Sequence, residues 1–210
     1  QFETSFDGLQ WIGNSEFLLE PKVFRQGKFF GLYRNYLYSS IDGENWTSKK
    51  IDLDFTGKGI YEAGGTYFTM NGNKIAISED LENWESRETP EYWNGGKFVY
   101  AFGNFYSNRS PVRTSIIHKS TDGLNWTRFR SGYSIAYGNN RLVTVQYDAD
   151  DFVTAVSTDG VRNTLYATPN QPSASSITFG NGLFVATRGG DTYRIRTSPD
   201  GVNWTNRDLP

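Results

Sequence analysis

Cysteine is missing from all 210 residues. That excludes disulfides and thiolate-bound metals, although it assigns no compartment. Histidine occurs once, as His118. A lone imidazole without a matched Ser or Asp reads as a packed or surface residue, not as the base of a catalytic triad. No apolar run approaches the ~18 residues that a membrane helix requires. Strong charge of either sign is also lacking: the net charge is −2, which gives no electrostatic case for nucleic acid or an anionic membrane. Helical periodicity is absent throughout. The chain begins at Gln1 and not at Met, and without a visible signal peptide it reads as a processed or excised piece.

Aromatic residues and glycine are abundant. Phe, Trp and Tyr make up 16% of the chain, and there are 22 glycines. Many short strands joined by tight turns would use that mixture. One phrase, Ser-x-Asp-Gly-x-x-Trp, gives them an order. It stands at Ser5-Asp7-Gly8-Trp11, Ser40-Asp42-Gly43-Trp46, Ser120-Asp122-Gly123-Trp126 and Ser198-Asp200-Gly201-Trp204. Two altered copies lie between. Ser78-Asp80-Trp84 has Leu81 in place of Gly, and Ser157-Asp159-Gly160 has Asn163 in place of Trp. The steps from Ser to Ser are 35, 38, 42, 37 and 41 residues. A period near 40 means one supersecondary unit copied in tandem.

Each full unit carries two apolar runs ahead of its phrase. The second runs are Phe29-Phe30, Tyr67-Phe68, Phe105-Tyr106, Leu142-Val143 and Phe184-Val185, preceded two residues earlier by Gly27, Gly65, Gly103, Asn140 and Gly182. Gly or Asn at that place marks a hairpin turn needing positive φ. A third strand then leads into Ser-x-Asp-Gly, and a fourth starts at the Trp. The unit is a four-stranded antiparallel meander. Its inner strands are apolar at consecutive positions, as in sheets covered on both faces. Sheets stacked face to face around an axis satisfy this, so the predicted fold is an all-β propeller. A β-sandwich would show alternation and no strict 40-residue phrase.

Five inner pairs predict five blades within a single domain, at about 22–52, 59–90, 97–130, 133–168 and 175–208. Residues 1–20 hold a phrase without inner strands and are expected to form an N-terminal hairpin or partial blade. The alternative is a fragment of a six- or seven-bladed propeller.

The repeated phrase resembles the Asp-box, or BNR repeat, of sialidases and other propellers, whose form is Ser/Thr-x-Asp-x-Gly-x-x-Trp/Phe. This chain carries a version one residue shorter. The resemblance implies a structural role for Asp7, Asp42, Asp80, Asp122, Asp159 and Asp200, and for Trp11, Trp46, Trp84, Trp126 and Trp204, at a strand-three to strand-four corner. In physical terms, the Asp accepts bonds from backbone N–H groups ahead of it. The Ser is expected to tie the strand before it, the Gly to supply the turn's φ, and the Trp to pack under the turn against the next blade.

Candidate binding residues are those that break the repeat. Trp93 is the only Trp outside a corner, in Tyr92-Trp93-Asn94-Gly95-Gly96; an aromatic pair with Asn and Gly suits a sugar-stacking or peptide-gripping loop. Glu62 takes a place that is aromatic in the other units (Phe24, Tyr100, Tyr137, Phe179). Arg25, Tyr133 and Tyr147 complete the set. Asp148, Asp150 and Asp151 are more simply solvated turn charges than a Ca²⁺ site, so no metal or other cofactor is expected. Asn45, Asn108, Asn125 and Asn203 head glycosylation sequons, three of which arise from the phrase itself.

The sialidase resemblance raises a catalytic alternative. Sialidases bind the substrate carboxylate with an arginine triad whose first member lies in Phe/Tyr-Arg-Ile-Pro; Phe24-Arg25-Gln26-Gly27 keeps two of those residues. Their catalytic groups come from longer loops on six blades, and short connections here leave little room for two carboxylates over a sugar. The preferred expectation is a non-catalytic module, similar to five-bladed lectin-type propellers, recognising a glycan or a protein receptor through loops and inter-blade grooves. It would work in an extracellular or surface-exposed setting. A structural or protein-interaction propeller of a larger surface or phage-tail protein is the remaining alternative.

Overall fold

In the computed structural model the described residues are 2–4, 12–14, 23–57, 59–93, 96–108, 116–146, 151–168, 174–188 and 194–207. All the regular structure among them is β. The chain falls into two compact units, residues 1–95 and 96–210.

The first unit opens with β1 (Phe2–Thr4) paired antiparallel to β2 (Ile12–Asn14), the expected N-terminal hairpin. A four-stranded meander follows: β3 (Val23–Arg25), β4 (Lys28–Tyr33), β5 (Tyr36–Ser40) and β6 (Thr47–Lys50). The next sheet has β7 (Tyr61–Ala63), β8 (Thr66–Ser78) and β9 (Glu85–Trp93). It departs from the four-strand expectation because β8 is continuous over 13 residues. The first part of β8 pairs with β7 and the last part with β9. Gly72, at φ +67°, breaks the extended geometry between them; Trp93 pairs opposite it, and the register then shifts before Lys74, which faces Glu88.

The second unit holds three meanders. They are β10 (Phe98–Ala101), β11 (Asn104–Asn108), β12 (Ile116–Ser120) and β13 (Thr127–Ser131); β14 (Ser134–Gly138), β15 (Arg141–Gln146), β16 (Phe152–Ser157) and β17 (Thr164–Thr168); and β18 (Ser176–Gly180), β19 (Leu183–Arg188), β20 (Arg194–Ser198) and β21 (Thr205–Arg207). All pairings are antiparallel between chain neighbours.

The first hairpin of each of these five sheets is closed by two residues of positive φ: Gln26-Gly27, Gly64-Gly65, Phe102-Gly103, Asn139-Asn140 and Asn181-Gly182. Positive φ at both central residues defines the type I′ turn, whose twist matches the flanking strands. Just beyond the turn, aromatic residues face each other across the ladder. Phe24–Phe29, Tyr100–Phe105 and Phe179–Phe184 pair with ring centroids 4.8, 4.9 and 4.8 Å apart. In the second sheet Glu62 faces Tyr67 instead.

Burial falls from the inner strands outward. β15 and β16 are mostly buried, whereas β6, β17 and β21 are exposed along their whole length. The core is apolar where sheets cover one another. In the first unit Val23, Leu32, Ile60, Tyr67 and Leu81 form one cluster with Trp84 against it. In the second unit Val143, Val145, Phe152, Ile177 and Phe184 form another.

The Ser-x-Asp-Gly corners are closed hydrogen-bond clamps. At the first described copy, Ser40 Oγ donates to Asp42 Oδ1 at 2.9 Å and accepts from the N–H groups of Asp42 and Gly43. The N–H groups of Glu44 and Asn45 donate to Asp42 Oδ1, and Asn45 Nδ2 donates to Oδ2. Trp46 Nε1 then donates to Gly43 O at 2.9 Å. The same set recurs at Ser78, Ser120 and Ser198. The Ser hydroxyl therefore binds the Asp and the turn, not the preceding strand as expected. The indoles of Trp46, Trp84 and Trp204 are only half-buried and that of Trp126 is buried; each also serves the turn through its N–H. The corner at Ser5–Trp11 lies outside the described residues.

Candidate functional site

Antiparallel register sorts the expected site residues to opposite ends of the sheets. Phe29 pairs with Ser40, which puts the first hairpin turn and the corner at one end of a sheet. The second hairpin and the link to the next sheet lie at the other. Arg25 and Glu62 belong to the corner end. Tyr92 and Trp93 end β9 at the opposite end, with side chains outside the described residues, as are Asn94, Tyr147, Asp148 and Asp150. Tyr133, in a link, is half-buried against the core; its N–H donates to Val145 O at 2.8 Å, and its carbonyl accepts from Asn108 Nδ2. It acts as a splice between sheets. Among the described residues, Arg25 and Glu62 lie at the corner end of their sheets and Tyr133 lies in a link.

At the corner end of the first unit there is a groove of about 540 Å³ between the β3–β6 sheet and the Ser78–Trp84 corner. Phe30, Leu37 and Leu81 supply its apolar lining, and all three belong to or pack on the buried cluster. Arg25, Lys28 and Lys49 bring positive charge, and Glu79, Asp80 and Glu82 bring negative charge. Lys49 and Glu82 form an exposed ion pair at 3.4 Å.

Arg25 is held in place. Its Nη1 donates to Tyr67 Oη at 2.6 Å, and its guanidinium carbon lies 5.4 Å from the centre of the Tyr67 ring. Tyr67 is 1% exposed, so a rigid, buried ring orients a charged group in an open groove. Glu62 faces Tyr67 across the ladder but turns its carboxylate back to its own hairpin, accepting from Gly65 N–H at 2.8 Å. Asp80 is likewise engaged. Bonds from the backbone and side chain of Asn83, then from Glu82 N–H, hold its carboxyl well below the usual range, so it stays ionised and offers no acid proton. The groove presents fixed charge and hydrogen-bonding groups over an apolar floor.

Several partners were not singled out from the sequence. The fifth residue after each corner Ser is Asn in four copies (Asn45, Asn83, Asn125, Asn203), and its amide closes the clamp on Asp Oδ2. The recurrence was the signal. Lys97 is largely buried and donates to Ile177 O at 2.7 Å; burial lowers its pKa to about 8. His118 is buried in β12, as a packed residue.

No family model matches the chain, and no curated protein matches it significantly. Solved structures do. A streptogramin B lyase is similar with a TM-score of 0.66 at 13% identity, over 96% of this chain and 72% of that one. A catalytically inactive virginiamycin B lyase from Staphylococcus aureus, solved with quinupristin, gives 0.62 at 18%, over 93% and 71%. The N-terminal domain of Nup159 gives 0.53 at 12%, and there this chain spans only 59% of the other. At such identities the likeness bears on architecture alone. Together with five antiparallel sheets in tandem, it makes this chain a β-propeller whose sheet count fits five blades.

Proposed function

We propose that the chain is a non-catalytic binding module, and that the groove at Arg25 takes a carbohydrate. The observation that carries this reading is the Arg25–Tyr67 pair. A guanidinium already oriented by a buried ring donates to a ligand with little further loss of entropy. The volume lies in the range of small-ligand sites. A sugar has apolar C–H faces and hydroxyls that both donate and accept, which suits an apolar floor flanked by both signs of charge. The groove's Asp80 is occupied by its own turn, which favours binding over acid–base chemistry. A cell-surface or extracellular setting belongs to the same reading.

The test is a glycan array followed by titration calorimetry. Arg25→Ala is expected to weaken the best glycan at least tenfold while the chain stays folded, its stability lower by about 1 kcal/mol for the lost bond to Tyr67. A silent array, or binding indifferent to Arg25→Ala, removes this site. Turnover of a fluorogenic sialoside that is lost in Arg25→Ala would replace the binding reading with a glycosidase.

A further inference from the structure

Outer strands of a sheet expose unpaired backbone groups and are normally guarded by charge. Four of the five outer strands here follow that rule: β6 has Lys49 and Lys50, β9 has Glu85, Arg87 and Glu88, β13 has Arg128, and β21 has Arg207. The exception is β17, the terminal strand in the order β14-β15-β16-β17. It reads Thr164-Leu165-Tyr166-Ala167-Thr168, carries no charge, and is exposed at every residue. Eight residues after the corner Ser the other sheets place Ser48, Ser86, Arg128 and Asn206; here Leu165 stands, 60% exposed. Val161, in the corner just before it, is 70% exposed.

We propose that β17 pairs antiparallel with β17 of a second copy of this chain, about a two-fold axis through Tyr166. Charge selects this occupant. Self-pairing of β6 would set lysines near lysines, and β13 would set Arg128 opposite Arg130, whereas β17 sets neutral against neutral. The sequence is nearly symmetric about Tyr166, so the register places Tyr opposite Tyr, Thr164 opposite Thr168, and Leu165 opposite Ala167. Aromatic and Thr pairs of this kind are favourable across strands. A self-complementary patch of this sort gives a closed dimer, joining two four-stranded sheets into one. Five residues of ladder fall short of the ~1,200 Å² of a standard interface, so the dimer is weak and forms with rising concentration.

The absence of cysteine makes the geometry directly testable. Tyr166→Cys introduces a single thiol that would face its own copy with Cα atoms ~4.5–5.5 Å apart, within disulfide range. Under mild oxidation this variant is expected to give a disulfide dimer, and Thr205→Cys on β21 is not. By sedimentation, the unaltered chain is expected to shift from monomer to dimer between micromolar and millimolar concentration. Leu165→Lys should abolish the shift without changing the melting temperature, since Leu165 is exposed. A chain monomeric at millimolar concentration overturns the proposal. So does a dimer unaffected by Leu165→Lys, or equal cross-linking from positions 166 and 205.

Discussion

The hydroxyl of Tyr106 donates to the carbonyl oxygen of Gly160 at 3.2 Å, from one sheet to the corner of the next. In the four other described corners the equivalent carbonyl is bonded by the corner's own indole. The Ser157 corner has Asn163 where that indole stands, and Tyr106 supplies the donor, helped by Lys119 Nζ at 3.2 Å. Burial, and then the Asp159 charge, push the Tyr106 phenol up to about 12, so it remains a donor across the ordinary pH range.

Tyr106→Phe should therefore destabilise the fold by about 1 kcal/mol, the net worth of one buried hydrogen bond. Asn163→Trp should recover much of this loss in the Tyr106→Phe background and little of it alone. Urea denaturation of the four proteins in the cycle gives the coupling; additive effects would refute the substitution of one donor for the other.

Leu81 holds the corner position that is Gly elsewhere, at φ +68°, and it is buried in the first unit's cluster. Relief of left-handed strain favours Gly by about 1–2 kcal/mol. Loss of a buried leucine side chain costs about 2–5 kcal/mol. Burial wins, so Leu81→Gly is expected to lower stability by about 1–3 kcal/mol, as read from the denaturation midpoint.

The clamped aspartates make the fold acid-sensitive in a defined direction. For Asp200, partial burial alone would raise the carboxyl, but bonds from Asn203, Val202 and Ser198 outweigh it and lower the pKa. A carboxyl whose pKa is lower in the folded state stabilises fully above its unfolded value, near 3.9, and loses that contribution as pH falls through the folded value. Asp200→Ala should flatten the decline in stability below pH 4 and lower stability at pH 7. Thermal melts from pH 2 to 7 would reveal either change.

Lys97 works with the opposite balance. Burial lowers its pKa from 10.5 to about 8, so the folded state disfavours the charged amine. Below pH 8 that penalty is fully present, and it fades as pH rises through 8 toward 10.5. The unaltered chain should thus gain on the order of 2–3 kcal/mol relative to Lys97→Met across this window. Parallel denaturation curves at pH 7 and pH 10.5 test it; no relative gain would place the ammonium in water.

The hairpin turns and the corners could be read from the chain because each is decided within a few residues. Gly65 and Gly103 announce positive φ, and Ser40, Asp42 and Gly43 supply a complete local set of donors and acceptors. Glu62 marked a real break in the aromatic pattern, although its carboxylate serves only Gly65. The groove was less legible. Arg25 meets Tyr67 across 42 residues, an encounter set by how two sheets lie together and not by any spacing in the sequence. The same holds for Tyr106 and Gly160, where a missing indole predicts a vacant acceptor but not which side chain fills it. The Asn45 family was visible as a recurrence, yet read as a sequon its amide looked like surface chemistry.

Every side-chain bond within the Ser40 corner closes inside seven residues, without help from another repeat. A gene encoding such units can lengthen or shorten by unequal crossing-over, because a newly copied segment arrives with its own fastening. What must then be re-matched is only the apolar contact between neighbouring sheets. Substitutions at groove residues such as Arg25 can thus accumulate while the fastenings go untouched.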